Sequence, residues 1–200
     1  MKKKINFDSF IENFSDPSEA YLFKNPGGFF PVLNTSFNEN IVGSLVIVEY
    51  LQNLMHPPEL MIKKNENEIR RLLFWFETSF KHEVIIPLLK EKVFKRFKKN
   101  SLPNSHNIRT ARSNLKYHMQ YFNYLMKDHD FFVDDNLGYV DLFYGASLTV
   151  LDYIDELNFF EFEKLKNLYS IVKSRPSFKK ILADRIIGVN PHSDYLKLDY

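Results

Sequence analysis

The side chains that could do chemistry are scattered along this 200-residue chain rather than grouped. The sequence has no cysteine, which excludes disulfides, thiolate metal sites and cysteine nucleophiles from its residues. None of the six histidines lies four residues from another, as a helical zinc motif would require. The aspartates between residues 128 and 135 lack the spacing of an EF-hand. The sequence therefore predicts no metal centre, no cofactor and no identifiable catalytic group.

Basic residues form one local concentration. They are Lys90, Lys92, Lys95, Arg96, Lys98 and Lys99. Cations favour the C-terminal end of a helix, so a solvated helix end explains them. The alternative is a contact with an acidic partner. The 27 cations nearly balance 25 anions over the whole chain, which is not the pattern of a nucleic-acid-binding protein.

The start of the sequence has no apolar stretch that would indicate a secretory signal. No run of residues approaches the ~18 apolar positions of a membrane span. We therefore predict a soluble, cytoplasmic protein without membrane insertion.

The first quarter of the chain combines strand and helix patterns. Ile5–Ile11, Phe29–Asn34 and Asn40–Val42 are predicted strands, and a helix is predicted from Gly43 or Ser44 to Leu54. The prolines at 57 and 58 end that helix and mark a linker. Residues 1–54 are therefore predicted to form a small α/β domain.

The remainder is predicted to be helical. The apolar spacing predicts helices at 66–98, 105–128, 141–155, 161–173 and 176–184. Pro87 should kink the first of them, and Pro176 suits a first helical position, with Ser174 as its cap. The predicted all-helical domain covers residues 60–187, and residues 188–200 form a C-terminal tail.

One segment of the α/β domain resembles a known family. Asn25-Pro26-Gly27-Gly28-Phe29-Phe30-Pro31-Val32-Leu33 is similar to the Asn-Pro-x-Gly-x-x-Pro-x-Leu stretch of glutathione transferases, and Ser44–Leu51 is similar to their next helix. The resemblance implies a truncated thioredoxin-like domain followed by a transferase-type helical domain. In the family, a strand and helix with the catalytic Ser, Tyr or Cys precede this region. Here only residues 1–17 do, so we expect loss of catalysis and a poorly held N-terminal segment.

The resemblance also implies a remnant of a glutathione site at Phe30, Pro31 and Ser44. The proline of this motif is cis in the family, and we expect the same at Pro31. Glutathione-binding members usually place Glu-Ser where this chain has Gly43-Ser44. Because the acid is absent, we interpret Ser44 as a helix cap rather than a ligand contact.

Asp141 lies in a stretch that resembles the family's capping box at the start of a buried helix. The expected Ser or Thr is Gly138, so only half of the box is present. We expect a structural role for Asp141.

The helical domain resembles one alphaproteobacterial branch of the family, the FtsZ-binding division proteins. The blocks that carry this resemblance are 70–76, 81–84, 91–96, 108–118, 151–153, 172–178 and 182–185. Branch members end in Tyr-Ala-Asp-Leu-Asp-Phe, and this chain ends in Tyr-Leu-Lys-Leu-Asp-Tyr.

The branch implies a non-catalytic protein that binds FtsZ, assists cell division and forms a homodimer. The candidate partner-binding residues are Lys92, Lys95, Arg96, Tyr195, Leu198, Asp199 and Tyr200. Two alternatives remain open: a glutathione transferase whose true start lies upstream, and a decayed, inactive family member.

Overall fold

A computed structural model describes residues 6–13, 16–54, 65–98, 101–186 and 188–197. The chain divides into two compact units, Met1–Ile62 and Lys63–Tyr200. The predicted linker at Pro57-Pro58 lies outside the described residues.

The first unit contains a short antiparallel hairpin between two helices. Its elements are α1 (Glu19–Lys24), β1 (Val32–Asn34), β2 (Asn40–Val42) and α2 (Ser44–Leu54). Val32 pairs with Val42, and Gly43 N donates to Pro31 O at 2.9 Å beyond the end of the ladder. The turn between the strands places Asn38 at φ 61°, a left-handed conformation that asparagine tolerates better than most residues. The predictions of β2 and α2 are confirmed.

The predicted strand Ile5–Ile11 is not present over its described residues, 6–11. The side chains of Phe10 and Ile11 are exposed there. A strand needs a neighbour to pair its amides and carbonyls, and β1 pairs only with β2 among the described residues. Alternating apolar residues were therefore not sufficient for a strand. Helix α1, which Ser18 caps by accepting from Tyr21 N, was not predicted.

The second unit is mainly helical in its described part, with one isolated β-bridge between Ile186 and Val189. After α3 (Glu66–Trp75) comes a π-helix (Phe76–Ile85), then α4 (Ile86–Lys92) and a 3₁₀ turn (Phe94–Phe97). The remaining helices are α5 (Ser105–Leu125), α6 (Tyr139–Tyr153), α7 (Glu163–Lys173) and α8 (Phe178–Ala183). All five predicted helical segments exist, with shifted ends.

The first predicted helix changes from π to α at Ile86, next to Pro87. The proline has no N–H to donate to Glu83 O, the acceptor four residues earlier. Asn114 on α5 takes that role, because its Nδ2 donates to Glu83 O at 3.2 Å. The ten residues before Ile86 form the π-helix, and a kink at Pro87 stays a prediction.

Bonds between side chains and the backbone define the ends of the helices, and the start of α8 differs from the prediction. Ser174 does not cap α8, because its hydroxyl donates to Ile171 O and so belongs to the end of α7. Helix α8 begins at Phe178, two residues after Pro176. Asn104 caps α5 by accepting from the amides of His106 and Asn107.

Aromatic rings and one glycine shape the core of the second unit. Phe76, Phe80, Phe122 and Tyr144 are buried together. Helices α6 and α7 approach closely at Gly145, where an added Cβ would lie 2.3 Å from Val172 Cγ1.

Trp75, the only tryptophan in the sequence, donates from Nε1 to His118 Nδ1 at 3.0 Å. His118 Nε2 therefore carries the proton and donates to Glu83 Oε2 at 3.1 Å. Burial lowers the pKa of His118, so the imidazole is neutral at pH 7.

Candidate functional site

Lys92 belongs to an internal ion network. Its ammonium donates to Ile154 O and to Glu156 Oε1, the latter at 2.7 Å. Arg112 binds both carboxylate oxygens of Glu156, at 2.7 and 2.8 Å. Burial pushes the pKa of Glu156 upward, but the bonds from Arg112 and Lys92 bring it below its ordinary value. Lys92 therefore connects the end of α4 to the segment after α6.

Lys95 is also paired within the chain. Its ammonium lies 2.6 Å from Glu91 Oε2, and Glu91 also accepts from Asn104 N at 2.7 Å and from Asn107 Nδ2 at 2.9 Å. The backbone amide of Asn104, with Lys95 and Asn107, lowers the pKa of Glu91 to about 2. This carboxylate joins the end of α4 to the start of α5.

Near its C-terminal end the basic run includes the segment Arg96-Phe97-Lys98, which we call the basic turn; Lys90 on α4 is also exposed. All three residues are exposed, and the Phe97 side chain is 57% exposed. A Cβ added at Gly188 would lie 2.8 Å from Phe97 Cε1, so the Phe97 ring lies against the C-terminal segment. Of the three candidate cations, Arg96 is the one that faces solvent.

Residues 188–197 form a strap that lies on the helical unit. His192 N donates to Tyr153 O at 3.0 Å, and Tyr153 OH donates to Val189 O at 2.6 Å. Tyr195 stands edge-on to Tyr153, with ring centroids 5.1 Å apart. The tail is therefore bound to the end of α6 along most of its described length.

Tyr195 is buried rather than presented to solvent, with 2% of its surface exposed. The Lys173 ammonium lies 5.5 Å from its ring centroid and 5.4 Å from that of Tyr169. Lys173 Nζ is 2.7 Å from Asp152 Oδ2, which also accepts from Tyr169 OH at 2.8 Å. We call Asp152, Tyr153, Tyr169 and Lys173 the anchor cluster. Burial, followed by the charge of Asp152, raises the pKa of Tyr195 to about 12.

The structure thus brings the end of the basic run and the tail to one corner of the second unit. Tyr195 was predicted from the sequence to be a partner contact, and the anchor cluster was not predicted. The apolar spacing of α6 and α7 could not indicate that Asp152 and Lys173 face each other inside the core. Leu198, Asp199 and Tyr200 lie outside the described residues.

The expected glutathione-site residues are in the first unit. The Phe30–Pro31 peptide bond is cis, as predicted, and the Phe30 ring stacks on Tyr21 at 4.7 Å. Tyr21 OH and Asn25 Nδ2 both donate to Phe29 O. Helix α2 begins at Ser44. The cap position just before the helix is therefore occupied by Gly43, and not by Ser44 as expected from the sequence. Gly43 has φ +91°, a conformation that an L-amino acid rarely adopts.

Asp141 makes the bonds expected of a half capping box. It accepts from Gly138 N at 2.7 Å and from Phe132 N at 3.0 Å. Burial raises its pKa to about 6 despite these bonds. Its contacts indicate a structural role at the start of α6.

A cleft of about 510 Å³ opens between α5 and the segment after α6. Its floor includes Met119 and Phe162, and its rim carries the Arg112–Glu156 pair and Lys116, which is 3.2 Å from Glu161. Each of these two cations already has a carboxylate partner.

The described residues contain neither a metal-binding cluster nor a membrane-spanning helix. No three His, Asp or Glu side chains there are close enough to hold a metal ion. No helix among these residues combines the length and apolar content needed to cross a bilayer.

Comparisons with known proteins agree with this geometry. Residues 89–185 match the model of the glutathione S-transferase C-terminal domain. FtsZ-localized protein A of Caulobacter vibrioides is 31% identical over 204 residues, which cover 100% of this chain and 90% of that protein.

Two solved structures have the same fold. A glutathione S-transferase from Rhodospirillum rubrum F11 has a TM-score of 0.90 and 32% identity, with 98% of this chain and 90% of that chain covered. FzlA from C. crescentus has a TM-score of 0.85 and 32% identity, with coverage of 92% and 83%. The chain therefore belongs to the glutathione-transferase-like family that includes FtsZ-localized protein A.

Proposed function

We propose that this protein binds FtsZ polymers and assists bacterial cell division without catalysing glutathione conjugation. The observation that carries the proposal is the similarity to FtsZ-localized protein A, which extends over the whole chain. The corner where the basic turn meets the strap supports it, because exposed cations there suit an acidic polymer surface.

Cosedimentation with FtsZ polymers tests the binding surface. Arg96→Glu with Lys98→Glu reverses two exposed charges without breaking an ion pair described above. We expect this variant and a deletion of residues 189–200 to reduce cosedimentation. Lys95→Glu is a poor test, because it would place a second carboxylate beside the buried Glu91.

The control is Lys179→Glu on α8, which changes an exposed charge that is not part of the basic turn. Raising the salt should weaken binding, because the screening length falls from about 10 Å at ~0.1 M salt to about 3 Å at ~1 M and so shortens the reach of the exposed charges. If both the double reversal and the deletion bind as the unaltered protein does, the assignment of this surface is wrong.

We also propose that the protein does not conjugate glutathione. Covalent and acid–base catalysis require a positioned group within hydrogen-bond reach of the reacting atom. The sequence supplies no cysteine, and a glycine stands where glutathione-binding relatives usually carry an acid. Calorimetric titration with glutathione and a thiol-conjugation assay test this. Saturable binding with turnover would support the transferase alternative instead.

A homodimer completes the proposal. Phe74 on α3 and Tyr117 and Tyr124 on α5 are exposed, and Tyr121 between them stacks on Trp75 at 4.6 Å. The same aromatic residues of a second copy of the protein would cover this exposed face. A dimer would also make several weak contacts to a polymer at once. Light scattering should give twice the 23.8 kDa chain mass. Tyr117→Glu with Tyr124→Glu should give the single-chain mass, and a single-chain mass for the unaltered protein would contradict the dimer.

A further inference from the structure

The strap is held by more than apolar contact. The anchor cluster contains a buried ion pair whose ammonium lies near the faces of two tyrosine rings, and one of these rings belongs to the strap. A cation over an aromatic face is attracted by the ring's quadrupole, more strongly when water is excluded. The Lys173 side chain has 0% exposure and that of Asp152 has 5%, so this contact is desolvated.

The strap has a second attachment a few residues earlier. Tyr153 OH donates to Val189 O and accepts from Ile186 N at 3.1 Å. The same tyrosine contacts Tyr195 with its ring and His192 through its carbonyl. One residue of α6 thus binds the strap at its beginning, middle and end.

From these contacts we propose that Tyr195 is a positioning residue: docked in the anchor cluster, it fixes the strap beside the basic turn, and the docked strap is the form that binds the partner. This inference rests on the proposed function. A tail attached only by the backbone near residue 186 would sample many directions, and ordering it on binding would cost affinity. Docking removes that cost before the partner arrives, because the strap is already in place.

Three substitutions distinguish the contribution of the Tyr195 ring from that of the Tyr153 hydroxyl. The ring of Tyr195 faces Lys173 and Tyr153, so Tyr195→Phe retains the described contacts. Tyr195→Ala removes the ring. Tyr153→Phe retains the ring contact with Tyr195 and removes the hydroxyl bonds to Val189 O in the strap and to Ile186 N just before it.

Hydrogen exchange on the isolated protein tests the docking without any partner. Tyr195→Ala should speed exchange of the amides in residues 188–197 by roughly tenfold or more, because burial of an aromatic side chain accounts for at least that factor. Tyr153→Phe should speed it less, and Tyr195→Phe should leave it unchanged. Unchanged exchange in α5 in every variant would confirm that the helical unit remains folded.

Cosedimentation with FtsZ polymers then tests the functional part. Tyr195→Ala should lose binding although residues 196–200 are retained, and Tyr195→Phe should bind as the unaltered protein does. Normal exchange of the strap in Tyr195→Ala overturns the docking.

Two further outcomes separate this inference from the proposed function. Fast exchange in Tyr195→Ala with full binding, when deletion of 189–200 abolishes binding, overturns the positioning role alone. Full binding after the deletion overturns the positioning role together with the proposed role of the tail.

Discussion

At the scale of single residues, Glu91 shows how a buried carboxylate can join two helices. It accepts bonds from the backbone amide of Asn104, from Asn107 and from Lys95, and its pKa in the folded protein is about 2 rather than 4.5. A carboxyl with a depressed pKa contributes stability above pH 4.5, which is lost as the pH falls through about 2.

We predict that Glu91→Gln makes unfolding less dependent on pH between about 4.5 and 2 and lowers stability at pH 7. Urea unfolding at several pH values measures both. Glu77→Gln is the control, because Glu77 forms a more exposed pair with Lys81. An unchanged pH profile in Glu91→Gln would contradict this role.

Asp141 changes the stability with pH in the opposite direction to Glu91. Burial raises its folded pKa from 3.8 to about 6, so its contribution is present below pH 3.8 and is lost as the pH rises through about 6. The two carboxyls therefore affect stability in different pH ranges and with opposite sign.

Asn114 and Pro87 both affect the hydrogen bonding of one backbone carbonyl, that of Glu83. Asn114 Nδ2 donates to the carbonyl of Glu83, which Pro87 cannot serve. We predict that Asn114→Leu lowers stability by about 0.5–1.5 kcal/mol, the usual net value of one hydrogen bond. In a Pro87→Ala background the loss should be smaller, because the backbone N–H of the introduced alanine can donate to Glu83 O. A double-mutant cycle from urea unfolding measures the coupling, and strictly additive effects would refute it.

At the scale of elements, the packing of α6 against α7 depends on one glycine. A methyl group at Gly145 would lie 2.3 Å from Val172 Cγ1, so one of the helices would have to move. We predict that Gly145→Ala lowers stability by about 1–3 kcal/mol, as overpacking of a core typically does.

Thermal unfolding of Gly145→Ala and of Gly145→Ala with Val172→Ala tests the cause. The second substitution makes room for the new methyl group. If the glycine matters because of this contact, the penalty of Gly145→Ala will be smaller in the Val172→Ala background.

The elements also show what could be predicted from sequence. Helical periodicity located α3 to α8, because it reports the apolar face that each helix buries. It could not give the π-helix over Phe76–Ile85, because the spacing of apolar residues does not report which carbonyl each amide bonds to. Strand alternation failed at residues 6–11, because a strand is defined by a neighbour that the pattern does not contain. Partner binding by the candidate residues stays a prediction. Arg96 is exposed, whereas Lys92 and Lys95 pair with carboxylates of the chain and Tyr195 is buried.

At the scale of the whole molecule, the two units differ in how much they bury. The core residues named above all belong to the second unit, whereas α2 has no buried residue. We predict fast hydrogen exchange over residues 6–13 and slow exchange over residues 69–97. Mass spectrometry of the isolated protein measures both. Strong protection of residues 6–13 would mean that this segment has a pairing partner.

The single tryptophan allows unfolding of the second unit to be followed by fluorescence. Because Trp75 lies in the second unit with its indole bonded to His118, its fluorescence reports on the folding of that unit. A melting transition seen by far-ultraviolet circular dichroism but absent from tryptophan emission would belong to the first unit. With no cysteine in the sequence, one introduced at the exposed position 196 would carry the sole thiol dye. Energy transfer from Trp75 to that dye would then follow release of the strap in real time, in the same sample.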